Sequence, residues 1–135
     1  MLPSSNKPSD IRLRNVHISQ LRNYRLPASA VVSILHRISG LLLFLALPFL
    51  AYLLSLSLTS EISYARLRDV MAHPVVTLIV IVLLWGFTHH LLAGVRFLFL
   101  DMHKGVRKES SRKSSKWVLS LSLIVTAALA WIIAV

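Results

Sequence analysis

Three long stretches without a charged residue dominate this chain. They cover residues 38–58, 74–95 and 117–135, and the only histidines within them are His89 and His90. An α-helix rises 1.5 Å per residue, so about 20 apolar residues cross the hydrocarbon core of a bilayer. The pattern therefore predicts an all-α membrane protein with three transmembrane helices.

The domain organisation follows from where these stretches lie. Residues 1–28 form a polar N-terminal segment, and residues 29–135 form a single transmembrane domain. We expect its helices at about 29–58, 74–100 and 117–135. The chain is 56% hydrophobic yet carries a formal net charge of +10, a combination that fits a membrane protein better than a water-soluble domain.

The charges lie between the apolar stretches and predict the topology. Residues 1–37 hold six basic residues against one acidic residue, the 59–73 loop is balanced, and the 101–116 loop holds six basic against two acidic residues. Because positive flanks stay in the cytoplasm, we expect a cytoplasmic N-terminus and a periplasmic C-terminus. The basic segments would attract membrane lipid, and no aromatic or glycine motif indicates a nucleic-acid partner.

A few ionisable residues lie inside the predicted helices, where they are costly and often functional. They are His36, Arg37, His89, His90 and Arg96. The chain has no cysteine, which excludes disulfides, thiolate metal ligands and the covalent attachment of c-type haem.

His90 is the deepest candidate. It precedes Asp101 by 11 residues, about 16 Å along the helix, which is near the bilayer midplane. Gly86 and Gly94 lie one turn to either side and would leave flat space for a haem bound through the imidazole. Equally, His90 could hydrogen-bond to a neighbouring helix while the glycines allow close helix packing.

The first helix carries a polar face at its cytoplasmic mouth. Ser33, His36, Arg37 and Gly40 fall within an arc of about 100° on the helix. Arg96 lies about 7 Å from the cytoplasmic end of the second helix, at the same side of the membrane. These cations could bind haem propionates, or they could simply extend towards the interface.

Two motifs on these residues resemble the succinate dehydrogenase cytochrome b556 subunit, a family of membrane anchors. Residues 33–40 match its S-x-x-H-R-x-(S/T)-G pattern, and residues 90–101 match H-x-x-x-G-(L/I/V)-R-x-x-x-x-D. The similarity extends from about Arg12 to the C-terminus. The family's Arg-Pro dipeptide is replaced here by Arg14 and Asn15, so the match is weaker in the N-terminal segment.

The resemblance implies roles for individual residues. His90 would be an axial ligand of haem b, with the second ligand supplied by a partner anchor subunit. Ser33 and Arg37 would line a ubiquinone site. His36 and Arg37 would also lie near the haem propionates, with Arg96 beside them, and Gly94 would form part of the haem environment.

The resemblance also implies a place in a complex. The chain would be a membrane anchor of succinate dehydrogenase, without independent activity, beside a second anchor subunit, an iron–sulfur subunit and a flavoprotein. A bacterial inner membrane is the expected location. Two alternatives stay open from the residues, namely the anchor of a fumarate reductase that uses menaquinone, and a non-redox membrane protein such as a holin or an assembly factor.

Overall fold

The computed structural model describes residues 26–134 and forms four α-helices, with no strand among those residues. They are α1 (Ala28–Thr59), α2 (Glu61–Met71), α3 (Pro74–Asp101) and α4 (Lys108–Ala134). Helices α1, α3 and α4 are long and apolar enough to cross a membrane, which confirms the predicted all-α class and its three spans. The predicted N-terminal segment lies almost wholly outside the described residues, as does Val135.

Helix α4 begins at Lys108, whereas the uncharged stretch predicts a span that begins at 117. The added turns are polar and are stabilised locally. Lys113 pairs with Glu109 at 2.9 Å, which is the helical i,i+4 spacing, and the Ser115 hydroxyl donates to the Ser111 carbonyl at 2.7 Å. Part of the predicted basic loop is therefore the first part of a helix.

Helix α2 lies within the segment predicted as the first loop. Its N-terminus is closed by a capping box in which Ser60 and Ser63 each accept a hydrogen bond from the other's backbone N–H, both at 3.1 Å. Glu61 in the first turn and Arg68 in the last complement the helix dipole. The connection between the first two spans is therefore ordered.

Both ends of α3 are capped by local hydrogen bonds. At the start, His73 Nδ1 accepts from the Val75 N–H at 3.3 Å, and Pro74 occupies the first turn, where no N–H is needed. At the end, His103 has a positive φ of 59°, and the Lys104 N–H donates to the Phe99 carbonyl at 3.0 Å. This left-handed cap ends the helix before the short turn into α4.

Helix α3 is central and packs against both α1 and α4, and these two also touch each other. The surfaces between the helices are mostly small or polar, whereas large apolar side chains such as Phe44, Phe49 and Trp131 point outward. Thr88 and Thr126 join α3 to α4 through a hydroxyl–hydroxyl hydrogen bond of 2.7 Å. Small and polar residues between helices are typical of membrane bundles, where lipid covers the apolar exterior.

Candidate functional site

The contact surface between α1 and α3, called here the α1–α3 seam, brings together His36, Ser39, Gly40 and His90. The His90 ring stacks on the His36 ring with centroids 4.1 Å apart and planes 7° apart. His90 Nδ1 lies 3.1 Å from the His36 backbone carbonyl oxygen. Ser39 Oγ lies 3.3 Å from the same nitrogen and itself donates to the His36 carbonyl at 3.0 Å.

These contacts assign the neutral His90 tautomer. A carbonyl oxygen only accepts, so Nδ1 must carry the proton and Nε2 must carry the lone pair. Nε2 forms no hydrogen bond within residues 26–134. An imidazole oriented by an Nδ1–H···O=C bond, with Nε2 available, is the usual arrangement of a metal-ligating histidine. The donor chemistry of the seam therefore fits one axial ligand of a haem.

Gly40 makes room for the His90 ring. A Cβ atom at Gly40 would lie 2.8 Å from His90 Cε1, which is closer than side chains approach in folded proteins. Gly40 is therefore the residue that lets the imidazole lie flat against α1. It shares its helical arc with Ser33, His36 and Arg37, but its contact with His90 is a tertiary feature.

Gly86 and Gly94 serve close packing of α1 in this structure. A Cβ at Gly86 would lie 3.9 Å from the Ser39 Cβ, and a Cβ at Gly94 would lie 3.5 Å from His36 Nε2. The α1 side chains of Ser39 and His36 are therefore the neighbours of these two glycines across the seam. Close helix packing accounts for these contacts, and His36 also meets Phe97 edge to face at 5.2 Å.

His89 points into the three-helix interior and differs sharply from its neighbour. It is fully buried, and neither of its ring nitrogens forms a well-aligned hydrogen bond in the described part of the chain, although the Val32 backbone of α1 lies close to the ring. Its ring lies 5.4 Å from that of Trp85, whose Nε1 is also buried without a partner there. His90 is partly exposed at the edge of the seam, so a group approaching the bundle meets His90 rather than His89.

Ser33 and Arg37 lie one turn apart on α1, with Arg37 exposed and Ser33 partly buried. Neither side chain forms a hydrogen bond to another residue between 26 and 134. Both are therefore available to an external group, and they neighbour His36 along the helix. The structure does not join either of them directly to His90.

Arg96 lies on the other side of α3, against α4. Its Nε donates to Ser114 Oγ at 3.0 Å, and its Nη2 donates to Ser111 Oγ at 2.9 Å and to the Ser111 carbonyl at 3.3 Å. The guanidinium also lies 5.3 Å from the centre of the Phe97 ring. The hydrogen bonds of Arg96 thus go to α4, and Phe97, which also meets His36 edge to face at 5.2 Å, lies between its guanidinium and the α1–α3 seam.

Sequence reasoning missed three contributors to these sites. Ser39 is the (S/T) of the first motif, so a signal for it was present, although its contact with His90 was not foreseen. Ser111 and Ser114 lie in the segment expected to be a loop, and only the helical start of α4 brings them to Arg96. Their spacing of three residues is the helical signal that could have indicated one shared face.

Fold and site together define a class, namely a multi-pass membrane protein with an oriented histidine between two of its spans. A model of the family described as the succinate dehydrogenase/fumarate reductase transmembrane subunit matches residues 14–129. The chain belongs to this family. The resemblance drawn from the two motifs is therefore confirmed.

Curated relatives agree with this assignment. The chain is 32% identical over 118 residues to a succinate dehydrogenase cytochrome b556 subunit from Paracoccus denitrificans, covering 87% of this chain and 91% of that protein. It is 34% identical over 114 residues to the subunit of the same name from Coxiella burnetii, covering 83% and 91%. A Rickettsia felis subunit of that name is 28% identical over 109 residues, covering 81% and 84%.

Proposed function

We propose that this chain is a membrane-anchor cytochrome b subunit of succinate dehydrogenase. In this role it binds haem b together with a second anchor subunit and helps to form the site where ubiquinone is reduced. The observation that carries the proposal is the hydrogen bond from His90 Nδ1 to the His36 carbonyl at 3.1 Å. The names of the three relatives support the same role.

His90 would supply one axial ligand through Nε2. The His36 carbonyl and Ser39 hydroxyl would hold the imidazole in the required tautomer and orientation. His36, Arg37 and Gly94 would form the surroundings of the cofactor, with Arg37 as the cation for a propionate. When bound, the haem would supply one-electron transfer. Arg96 is not included, because its hydrogen bonds are to Ser111 and Ser114 of α4.

Ser33 and Arg37 would line the quinone site. A quinone that takes up two electrons and two protons needs donors at its carbonyl oxygens and stabilisation of negative charge. The Ser33 hydroxyl can donate a hydrogen bond to a quinone oxygen, and the Arg37 guanidinium can both donate a hydrogen bond and stabilise negative charge. The two residues lie one turn apart on α1. The availability of both side chains in the described chain supports this role.

The remaining subunits would dock on the positively charged side of the anchor. We infer that the N-terminus and the turn between α3 and α4 face the cytoplasm, and that the chain lies in a bacterial inner membrane. The iron–sulfur subunit would then deliver electrons from the flavoprotein at that surface. This chain would contribute binding and positioning, with no succinate chemistry of its own.

A fumarate reductase anchor that uses menaquinone is the second candidate. It is favoured by the family description, which names both enzymes. The three relatives are all named as succinate dehydrogenase subunits, so we rank succinate oxidation first. The same histidine and the same seam would serve either direction.

The proposal is tested by reduced-minus-oxidised spectra of membranes that contain the whole complex. We expect a b-type haem band in the wild type and its loss in His90→Ala. His73→Ser is the matched control, because His73 is an exposed histidine outside the seam and serine keeps its capping role. Immunoblots of the complex and dye-linked succinate oxidation report assembly. A haem band that persists in an assembled His90→Ala complex would refute the ligand assignment.

A further inference from the structure

A groove between α3 and α4, at the basic end of both helices, has a lining that includes none of the residues proposed for the haem and quinone sites. We propose that it binds an anionic phospholipid, with the phosphodiester at Arg96 and Lys104 and an acyl chain along the apolar wall. This inference is independent of haem and quinone binding. It depends on the contacts of Arg96, the lining of the groove and the depth at which the groove lies.

Arg96 is a buried cation without an anionic partner in the described structure. Only 7% of its surface is exposed, and its three hydrogen bonds go to neutral serine oxygens. These bonds engage Nε and Nη2, and Nη1 donates none to residues 26–134. A buried charge is stable when it is paired, so the free edge of this guanidinium is suited to an anion.

The groove next to Arg96 has a volume of about 420 Å³. Lys104 adds a second cation and Ser110 adds a hydroxyl group, and no acidic residue of the described chain is part of the lining. The Ser114 hydroxyl is already engaged, because it accepts from Arg96 and donates to the Ser111 carbonyl. The nearby Glu109 is engaged by Lys113 at 2.9 Å. The polar end of the groove is therefore a net positive site with several hydrogen-bond donors, which suits a phosphate group.

The rest of the lining is apolar. Its main members are Leu92, Val95, Phe99, Trp117 and Val118. From Leu92 to Leu100 this wall extends about 12 Å along the α3 axis, from the cationic end towards the middle of the span. Trp117 is 71% exposed at the edge of the groove, where tryptophan typically marks the membrane interface.

This combination favours a lipid over a free ion. Inorganic phosphate would use the cations and leave the apolar wall uncovered, whereas a phospholipid would use both. Two cations without a lining carboxylate favour an anionic headgroup over a zwitterionic one, since nothing in the lining pairs with a choline or an ethanolamine. The occupant we assign is therefore an anionic phospholipid such as phosphatidylglycerol.

The test uses the whole complex, purified in detergent and then exposed to equal amounts of phosphatidylglycerol and phosphatidylcholine. Retained lipid is measured by mass spectrometry. We expect phosphatidylglycerol to be retained preferentially, and Lys104→Gln to weaken its binding about fivefold, the effect of one lysine near anionic lipid. Lys108→Gln is the control, because it removes the same charge from an exposed residue outside the groove lining.

Each other outcome overturns the assignment. Equal weakening by Lys104→Gln and Lys108→Gln would mean a general surface-charge effect, and equal retention of both lipids would exclude an anionic site. Displacement of the lipid by inorganic phosphate alone would identify a phosphate site instead. Loss of haem without loss of lipid in Arg96→Lys would assign Arg96 to the cofactor and remove it from the groove.

Discussion

The imidazoles of His36 and His90 lie face to face with their centres 4.1 Å apart, and the backbone carbonyl of His36 also accepts a hydrogen bond from His90 Nδ1 at 3.1 Å. One residue of α1 thus fixes both the plane and the tautomer of a side chain on α3. This relationship accounts for the small residues along the seam. Any side chain larger than glycine at position 40 would enter the space of the ring.

Gly40→Ala should disturb His90. The new Cβ would lie 2.8 Å from His90 Cε1, so the ring must rotate or α1 must move away. We expect a weakened or shifted haem band in spectra of the assembled complex. Gly86→Ala is the matched control, because its Cβ meets the nearest atom at 3.9 Å, and both changes gain the same helix propensity of about 1 kcal/mol. Identical spectra for the two variants would contradict the proposed seam geometry.

His89→Leu should preserve the complex. The buried imidazole forms no well-aligned hydrogen bond in the described chain, and replacing such a group removes a desolvation cost of about 1–3 kcal/mol. We expect an unchanged haem band and an equal or higher melting temperature in detergent.

Thr88→Val provides the comparison for His89→Leu, because Thr88 is an adjacent buried polar residue that does have a partner, Thr126, at 2.7 Å. Removing that bond should cost about 0.6 kcal/mol, the average for hydrogen bonds between membrane helices. If His89→Leu lowered the melting temperature more than Thr88→Val, a bound water or another subunit would have to satisfy the imidazole.

Ser33→Ala and Arg37→Ala should uncouple the quinone reaction from succinate oxidation. Charge-assisted hydrogen bonds contribute about 1.5–3 kcal/mol, so Arg37→Ala should lower succinate-dependent quinone reduction about tenfold or more, with a smaller loss for Ser33→Ala. Dye-linked succinate oxidation should be unaffected. Ser55→Ala, an exposed serine further along α1, is the control. Parallel loss of both activities would indicate failed assembly instead of a quinone site.

The predicted orientation can be measured directly, because the chain contains no cysteine. Single cysteines at two exposed positions, Ala72→Cys before α3 and Lys108→Cys at the start of α4, report opposite sides of the membrane. We expect a membrane-impermeant maleimide to label Ala72→Cys in cells with a permeabilised outer membrane. Lys108→Cys should be labelled only after lysis. The reverse pattern would invert the topology.

The three spans could be predicted from the sequence because uncharged stretches of this length match the thickness of a bilayer and are rare in water-soluble domains. The same hydropathy pattern does not predict helix α2 or the start of α4 at Lys108. Both are stabilised by local polar contacts, the Ser60–Ser63 capping box and the Lys113–Glu109 pair, which hydropathy does not register. Consecutive residues on a helix point about 100° apart, which accounts for the different surroundings of His89 and His90.

The finer features of the site depend on how the helices pack. The sequence marks His36, Gly40 and His90 as candidates, but it contains no signal that the acceptor for His90 is a main-chain atom of another helix. Arg96 shows the same limit. Its position in the motif grouped it with His36 and Arg37, whereas its contacts depend on α4 beginning early enough to present Ser111 and Ser114.

The acceptor for His90 belongs to the polypeptide backbone, so no substitution at position 36 can delete it. The tautomer of the imidazole is therefore tolerant of side-chain change at position 36, yet it is sensitive to any sliding of α1 along α3. A shift of one residue would move the carbonyl by about 1.5 Å and place a new side chain against the ring. Under the proposed function, the ligand would become competent only after these two helices dock in register, so helix assembly would precede cofactor capture.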